Sequence, residues 1–146
     1  MIIQPVSCLR GELTLPGDKS ISHRYAILGA MANGTTRISH FSQSEDCQST
    51  LRCLKTLGLG IRQSEREVEI QSEGWKRFQK PKELLDAGNS GTTVRLLSAL
   101  LSASPFVSPI QGDDSLNRRP MERIIRPLTQ MGARIEAVQD EYPPLR

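Results

Sequence analysis

The sequence predicts an α/β fold built of repeated strand–helix–strand–helix–strand–strand (βαβαββ) units. Segments of period two alternate with segments of helical period, and Gly, Pro and Asn separate them. The pattern then recurs. Arg24, Ile38 and Gly58 are answered by Arg95, Ile110 and Gly132, a period of about 72 residues. Leu57-Gly58-Leu59-Gly60-Ile61 likewise parallels Met131-Gly132-Ala133-Arg134-Ile135. Finally, 146 residues with 37% apolar and 24% charged side chains suffice for a buried core and are too balanced for disorder. The two units run about 13–72 and 84–146. The second lacks its closing strand, so an incomplete domain is expected.

In chain order, Ile2 to Arg10 leans toward β structure, with Pro5 restricting it to an edge. Glu12 to Leu15 alternates like a half-buried strand, and Pro16-Gly17 turns. A helix follows from Ser20 to Ala32, with Ile21, Tyr25, Leu28 and Ala32 on one face at helical spacing and Asn33-Gly34 ending it by a left-handed turn. Thr35 to His40 is a β-branched strand. Ser44 caps a second helix, which has two acids in its first turn, turns Leu51, Leu54 and Leu57 inward and stops at Gly58. Leu59 to Arg62 and Val68 to Gln71 form a hairpin around a polar loop. Glu73 to Lys82, with the single tryptophan Trp75, is a surface connection.

The second unit opens at Leu84-Leu85 and turns at Asp86 to Thr92. A helix runs to Ala103 with Val94, Leu97 and Leu101 on one face, and Pro105 stops it. Phe106 to Gln111 is a strand interrupted by Pro109. Pro120 stands in the first turn of a helix reaching Met131, with Pro127 as an irregularity or an early break. Gly132 ends that helix, and Ala133 to Val138 is a strand.

Composition narrows the function. Aromatics are 4% of the chain, too few for base-stacking platforms, and the net charge of +3 is spread along the sequence. A small anionic ligand fits better than a nucleic acid. Cys8, Cys47 and Cys53 form no CxxC pair, so neither a disulfide framework nor a zinc site is expected, and all three read as small, partly buried fillers. There is no secretory signature and no membrane-length apolar run, so a cytoplasmic protein is expected.

The candidate chemistry lies at helix starts. Leu15-Pro16-Gly17-Asp18-Lys19-Ser20-Ile21-Ser22-His23-Arg24 reads as a turn into a helix, where unpaired N–H groups and the helix dipole favour an anion. Lys19 and Arg24 add two charges, and Ser20 can cap the helix and donate to a ligand. The repeat places a second such start at Asn89-Ser90-Gly91-Thr92, with Arg95 one turn in. Gly91 lets a ligand approach the backbone. Arg118 and Arg119 point to different faces, so at most one reaches a given site. His23 is a lone helical histidine, more often structural than catalytic. The GxxxxGK[ST], GxGxxG and HExxH patterns are absent, as is a nucleophile elbow. The picture is one of positive binding groups without an evident general acid or base.

The opening stretch, then Asp86-Ala87-Gly88-Asn89-Ser90-Gly91-Thr92-Thr93-Val94-Arg95, then Arg119-Pro120-Met121 closely resemble the 5-enolpyruvylshikimate-3-phosphate synthase family, in its N-terminal part only. The resemblance implies two domains of three βαβαββ units each, arranged as an inside-out α/β barrel. Residues 1–14 would belong to the other, C-terminal domain, and 15–146 to a partial N-terminal domain, with a hinge around Leu13 to Asp18. It implies transfer of the enolpyruvyl group of phosphoenolpyruvate to the 5-hydroxyl of shikimate 3-phosphate, with release of phosphate and no metal or organic cofactor. Lys19 would touch both substrates, and Ser20 and Arg24 would hold shikimate 3-phosphate. Gly91 and Arg119 would bind phosphoenolpyruvate, with Asn89, Thr92 and Arg95 lining that pocket. The family's proton-transfer residues lie in its C-terminal domain, so none is named here, and this chain alone is expected to be inactive. No nucleic acid or membrane partner is implied, and the full-length protein is expected to be a monomer. Many family members carry proline after the arginine matching Arg95; Leu96 stands here. Two alternatives remain at this stage: the related transferase acting on UDP-N-acetylglucosamine, and a non-catalytic anion-binding module.

Overall fold

A computed structural model describes residues 4–65 and 67–146. Among the described residues, five short strands and four α-helices alternate as an α/β chain: α1 (Lys19–Met31), β1 (Asn33–Ser39), α2 (Glu45–Thr56), β2 (Gly60–Gln63), β3 (Glu67–Glu73), β4 (Leu85–Asp86), α3 (Gly91–Leu101), β5 (Ile110–Gln111) and α4 (Glu122–Gln130). Single 3-10 turns stand at Trp75–Arg77 and Leu116–Arg118.

The first sheet has strand order β1-β3-β2, with both pairings antiparallel. This is the predicted hairpin, with β1 laid along its free side. The second sheet pairs β4 and β5 in parallel. Its third member is a single antiparallel bridge from Ile110 to Leu145. The repeat is visible in that bridge. Ile38 of β1 faces Val68, as its counterpart Ile110 faces Leu145.

Helix α2 was read correctly. Cys47, Leu51, Cys53, Leu54 and Leu57 are buried, and Gly58, at φ +93°, ends the helix where only glycine is unstrained. Helix α3 also buries the predicted Val94, Leu97 and Leu101. Between them, α2 and α3 join the two units into one core.

Helix α1 turns the other way. Ile21, Tyr25, Leu28 and Ala32 are exposed, and the buried stripe is Ser22, His23, Ala26, Ile27, Gly29 and Ala30. The reason is close approach. A Cβ on Gly29 would lie 3.0 Å from the Thr36 side chain, and Ser22 Oγ accepts from Ser42 N at 2.9 Å. Small residues let α1 sit against β1 and α2, which larger side chains would prevent. The helix is apolar on both sides, so periodicity alone pointed to the bulkier face.

Other corrections concern element ends. Asp18, not Ser20, caps α1, its carboxylate accepting from Ile21 N at 2.7 Å. Ala32 leaves that helix in extended geometry rather than through a left-handed turn. Ser44 occupies the cap position of α2, but its hydroxyl makes no cap bond. Pro120 precedes the cap residue Met121 instead of entering the first turn, and α4 runs through Pro127. Only Ile110–Gln111 of the Phe106–Gln111 strand is extended and paired. Ala133 to Val138 is not a continuous strand, although Glu136 exchanges backbone bonds with Arg146.

Glu12 to Leu15 is neither a strand nor half-buried; Leu13 is 88% exposed. Gln4 to Arg10 is equally unpaired, while Ile2 and Ile3 of that predicted lead-in lie outside the described residues. Without a neighbouring strand their alternation has nothing to pack on. The turn that follows is tightly fixed. Gly17 lies against the backbone carbonyl of His40, where any side chain would overlap it.

Candidate functional site

Three helices begin at the same end of the core. Lys19 opens α1, Glu45 opens α2 and Gly91 opens α3. Side chains tie the three starts together. Lys19 Nζ donates to Asp46 Oδ2 at 2.6 Å, and Cys47 Sγ donates to the Lys19 carbonyl at 3.5 Å. Thr93 Oγ1 donates to the Asp46 carbonyl at 3.3 Å. Asp46 therefore sits between the two basic clusters predicted from sequence. Its hydrogen bond and charge raise the Lys19 pKa, so the ammonium stays charged at neutral pH.

On α1, Ser20 and Arg24 are exposed, and Arg24 Nη1 donates to the Ser20 carbonyl at 3.0 Å. The Arg24 guanidinium and the Ser20 hydroxyl are open to solvent, as is Lys19, itself half-exposed. On α3, Ser90 caps the helix by accepting from Thr93 N at 3.1 Å. Gly91 is buried, and a Cβ there would meet Arg95 Nη1 at 2.8 Å. The Arg95 guanidinium thus folds over the glycine. Thr92 is partly exposed next to it.

The third group arrives from the Gly112–Arg119 loop. Arg119 Nη2 donates to Asn89 Oδ1 at 2.8 Å, and Asn89 Nδ2 donates to both oxygens of Asp113 at 3.1 and 2.9 Å. Asp113 also accepts from Leu116 N at 2.8 Å. The Asn89 amide, helped by that backbone N–H, holds the Asp113 carboxyl below its usual range. Arg118 is exposed and takes no part, so one arginine of the pair reaches the cluster, as the sequence implied.

Sequence reasoning missed Asp46, Asp113 and Thr50. Asp46 was seen only as a first-turn acid. Asp113 stands in the Gly112-Asp113-Asp114-Ser115 turn ahead of the arginine pair, and nothing in the sequence shows that it orients Asn89 from 24 residues away. Of the cysteines, Cys8 is exposed, against expectation, and Cys47 and Cys53 are buried. Burial raises both buried thiols, that of Cys53 to about 12, so neither is a nucleophile at neutral pH. Among the described residues no group of His, Cys, Asp and Glu could hold a metal ion, and no helix is long and apolar enough to cross a membrane.

His23 lies behind the site, fully buried, and burial lowers its pKa. The unfolded chain therefore binds a proton at higher pH than the folded one. The stability this contributes is complete above the unfolded value of 6.5 and falls as pH drops toward the folded value. Urea unfolding at pH 7.5 and 5.5 is expected to show lower stability at 5.5, and His23→Asn should remove that difference. A difference unchanged in the variant would assign the acid sensitivity elsewhere.

Comparison with known proteins agrees with the architecture. The model of the EPSP synthase (3-phosphoshikimate 1-carboxyvinyltransferase) family matches residues 3–146. A 3-phosphoshikimate 1-carboxyvinyltransferase of Solibacter usitatus is 49% identical over 143 residues, covering 98% of this chain and 34% of the relative. One from Bacillus anthracis is 50% identical over 139 residues, covering 94% of this chain and 32% of the relative. The solved EPSP synthase of Acinetobacter baumannii superposes with a TM-score of 0.87 at 44% identity, covering 92% of this chain and 31% of the other. The chain thus spans about a third of the length of these relatives. The βα-type units are those of the enolpyruvyl transferase fold, present here as part of its barrel.

Proposed function

The chain belongs to the EPSP synthase family, and from that premise we propose that it supplies part of the substrate cleft of a shikimate-pathway enolpyruvyl transferase. The reaction moves the enolpyruvyl group of phosphoenolpyruvate onto the 5-hydroxyl of shikimate 3-phosphate. The hydroxyl gives up its proton as a bond forms between its oxygen and C2 of phosphoenolpyruvate and C3 takes up a proton. The C2–O bond to phosphate then breaks and C3 gives a proton back, so phosphate leaves. Both substrates are polyanions, and their mutual repulsion must be offset before they can meet.

The observation that carries this reading is the convergence of three helix starts, with Lys19 and Arg119 held at either side by Asp46 and Asn89. Lys19 bridges the substrates. Ser20 and Arg24 hold shikimate 3-phosphate. Gly91 and Arg119 hold phosphoenolpyruvate, lined by Asn89, Thr92 and Arg95. Fixed cations and helix dipoles steady the phosphate as it leaves without having to reorganise. Residues 1–14 pack in the second domain of the whole protein, which accounts for their exposed leucines here. The whole protein works in the cytoplasm as a monomer.

Titration of the isotope-labelled 146-residue chain tests the assignment. Shikimate 3-phosphate should move the amide signals of Lys19, Ser20 and Arg24, and phosphoenolpyruvate those of Gly91 and Thr92. UDP-N-acetylglucosamine should move none. Silence toward both substrates, or a response to the nucleotide sugar in their place, would sink the proposal. Gly91→Ala is expected to weaken phosphoenolpyruvate roughly tenfold, because the new methyl displaces the Arg95 guanidinium. Folding stability should change by less than about 1 kcal/mol, since alanine suits a helix start and only a flexible tip must move.

A further inference from the structure

A line of buried hydrogen-bonding side chains connects the two binding elements, and none of its members is among the residues assigned above to a substrate. His23 Nδ1 on α1 lies 2.7 Å from Thr50 Oγ1 on α2. Thr50 Oγ1 lies 2.7 Å from Thr93 Oγ1 on α3. Thr93 Oγ1 lies 2.7 Å from Ser90 Oγ, the cap immediately before Gly91. No residue of the four is more than 1% exposed.

Proton counting gives the line a direction. With the ring hydrogen on Nδ1, His23 donates to Thr50, Thr50 to Thr93 and Thr93 to Ser90. Ser90 Oγ then accepts both from the Thr93 hydroxyl and from Thr93 N. The ring atom left over is Nε2, buried without a partner, and it carries only a lone pair. With the hydrogen on Nε2 every arrow reverses, and a buried N–H goes unpaired, the costlier orphan. A protonated ring would bury an unpartnered charge. An apolar side chain would fill the same volume without an orphan atom, so the imidazole is not there for packing.

We propose that His23, as the neutral Nδ1–H tautomer, is a positioning residue that sets the Ser90–Gly91 turn of α3 against α1 through Thr50 and Thr93. The proposal rests on the reading that this turn holds phosphoenolpyruvate. A chain of hydroxyls with one proton each transmits displacement well; the Thr93 proton has a second acceptor in the Asp46 carbonyl at 3.3 Å, but the 2.7 Å contact to Ser90 Oγ is the shorter and carries the line. The spacing between the cation of α1 and the helix start of α3 is then fixed from beneath the site.

The test uses the 146-residue chain with Thr50→Val, His23→Leu, the double variant and His23→Asn. Ring nitrogen signals of the wild type should report hydrogen on Nδ1; hydrogen on Nε2 would overturn the stated direction. Thr50→Val, nearly isosteric, should move the Gly91 and Thr92 amide signals without ligand and weaken phosphoenolpyruvate binding roughly tenfold. The double variant should be no worse than either single one. His23→Asn can present an N–H near the place of Nδ1–H, and it should stay within about twofold of wild type. Unmoved Gly91 signals in Thr50→Val, or additive losses in the double variant, would refute the coupling. If His23→Leu does not fold, Thr50→Val and His23→Asn decide. If the wild-type chain does not bind phosphoenolpyruvate, the reading of the turn as its site fails, while the ligand-free Gly91 signals still decide the coupling.

Discussion

Leu54→Ala is expected to remove about 2–5 kcal/mol of folding stability, which is a large share of the total for a domain of this size. Leu54 is 0% exposed and lies on α2, the helix packed against both α1 and α3. Its loss leaves a cavity that none of the three helices can close without moving a start that bears site residues. The transfer cost and the cavity cost therefore add. Equilibrium urea unfolding of the chain measures the effect. Leu28→Ala is the matched control: its side chain is 59% exposed on α1, and the change should stay within about 0.5 kcal/mol. Equal losses at the two positions would mean that α1 is docked by its bulky face after all.

That comparison marks where residue patterns were informative. Helices α2 and α3 have one apolar face each, so spacing named Leu51, Leu54, Val94 and Leu97 as core without ambiguity. Helix α1 has two. Ser22, Ala26, Gly29 and Ala30 recur at helical spacing as regularly as Ile21, Tyr25 and Leu28. Hydrophobicity favours the second set, and close backbone approach selected the first. The repeat was legible because it depends on glycines with positive φ, Gly58 and Gly132, and on paired isoleucines. The strand predicted at Glu12 to Leu15 does not form, because a strand exists only with a neighbour.

The site divides in the same manner. Lys19, Arg24, Gly91 and Arg95 stand out locally, since each lies in the first two turns of a helix. Asp46 and Asp113 act across long sequence separations and leave no local mark. His23 sits inside the opening motif, yet its partner Thr50 is 27 residues away, and only the packing of α1 on α2 shows what the ring does.

Arg119→Ala should weaken phosphoenolpyruvate binding by about 1.5–3 kcal/mol, roughly ten- to a hundredfold, the usual range for a hydrogen bond to a charged group. The guanidinium is already aimed. One nitrogen donates to Asn89 Oδ1 at 2.8 Å, and Asp113 fixes that amide by accepting from Nδ2 with both oxygens. The same nitrogen also lies 3.4 Å from Ser115 Oγ, and the Nη1 and Nε groups are left to meet a carboxylate or phosphate in a fixed plane. Arg119→Lys is expected to recover little, because an ammonium cannot bond Asn89 and grip two ligand oxygens in that plane. Arg118→Ala should stay within about twofold, the neighbouring side chain pointing away to solvent. Calorimetric titration of the three variants separates the cases. If lysine restored full affinity, charge alone would suffice and the Asp113–Asn89–Arg119 geometry would be irrelevant to binding. If Arg118→Ala weakened binding as much as Arg119→Ala, the loop would present its other face to the ligand. Loss confined to Arg119→Ala and Arg119→Lys would instead make Asp113, through Asn89, the residue that decides how the arginine is presented.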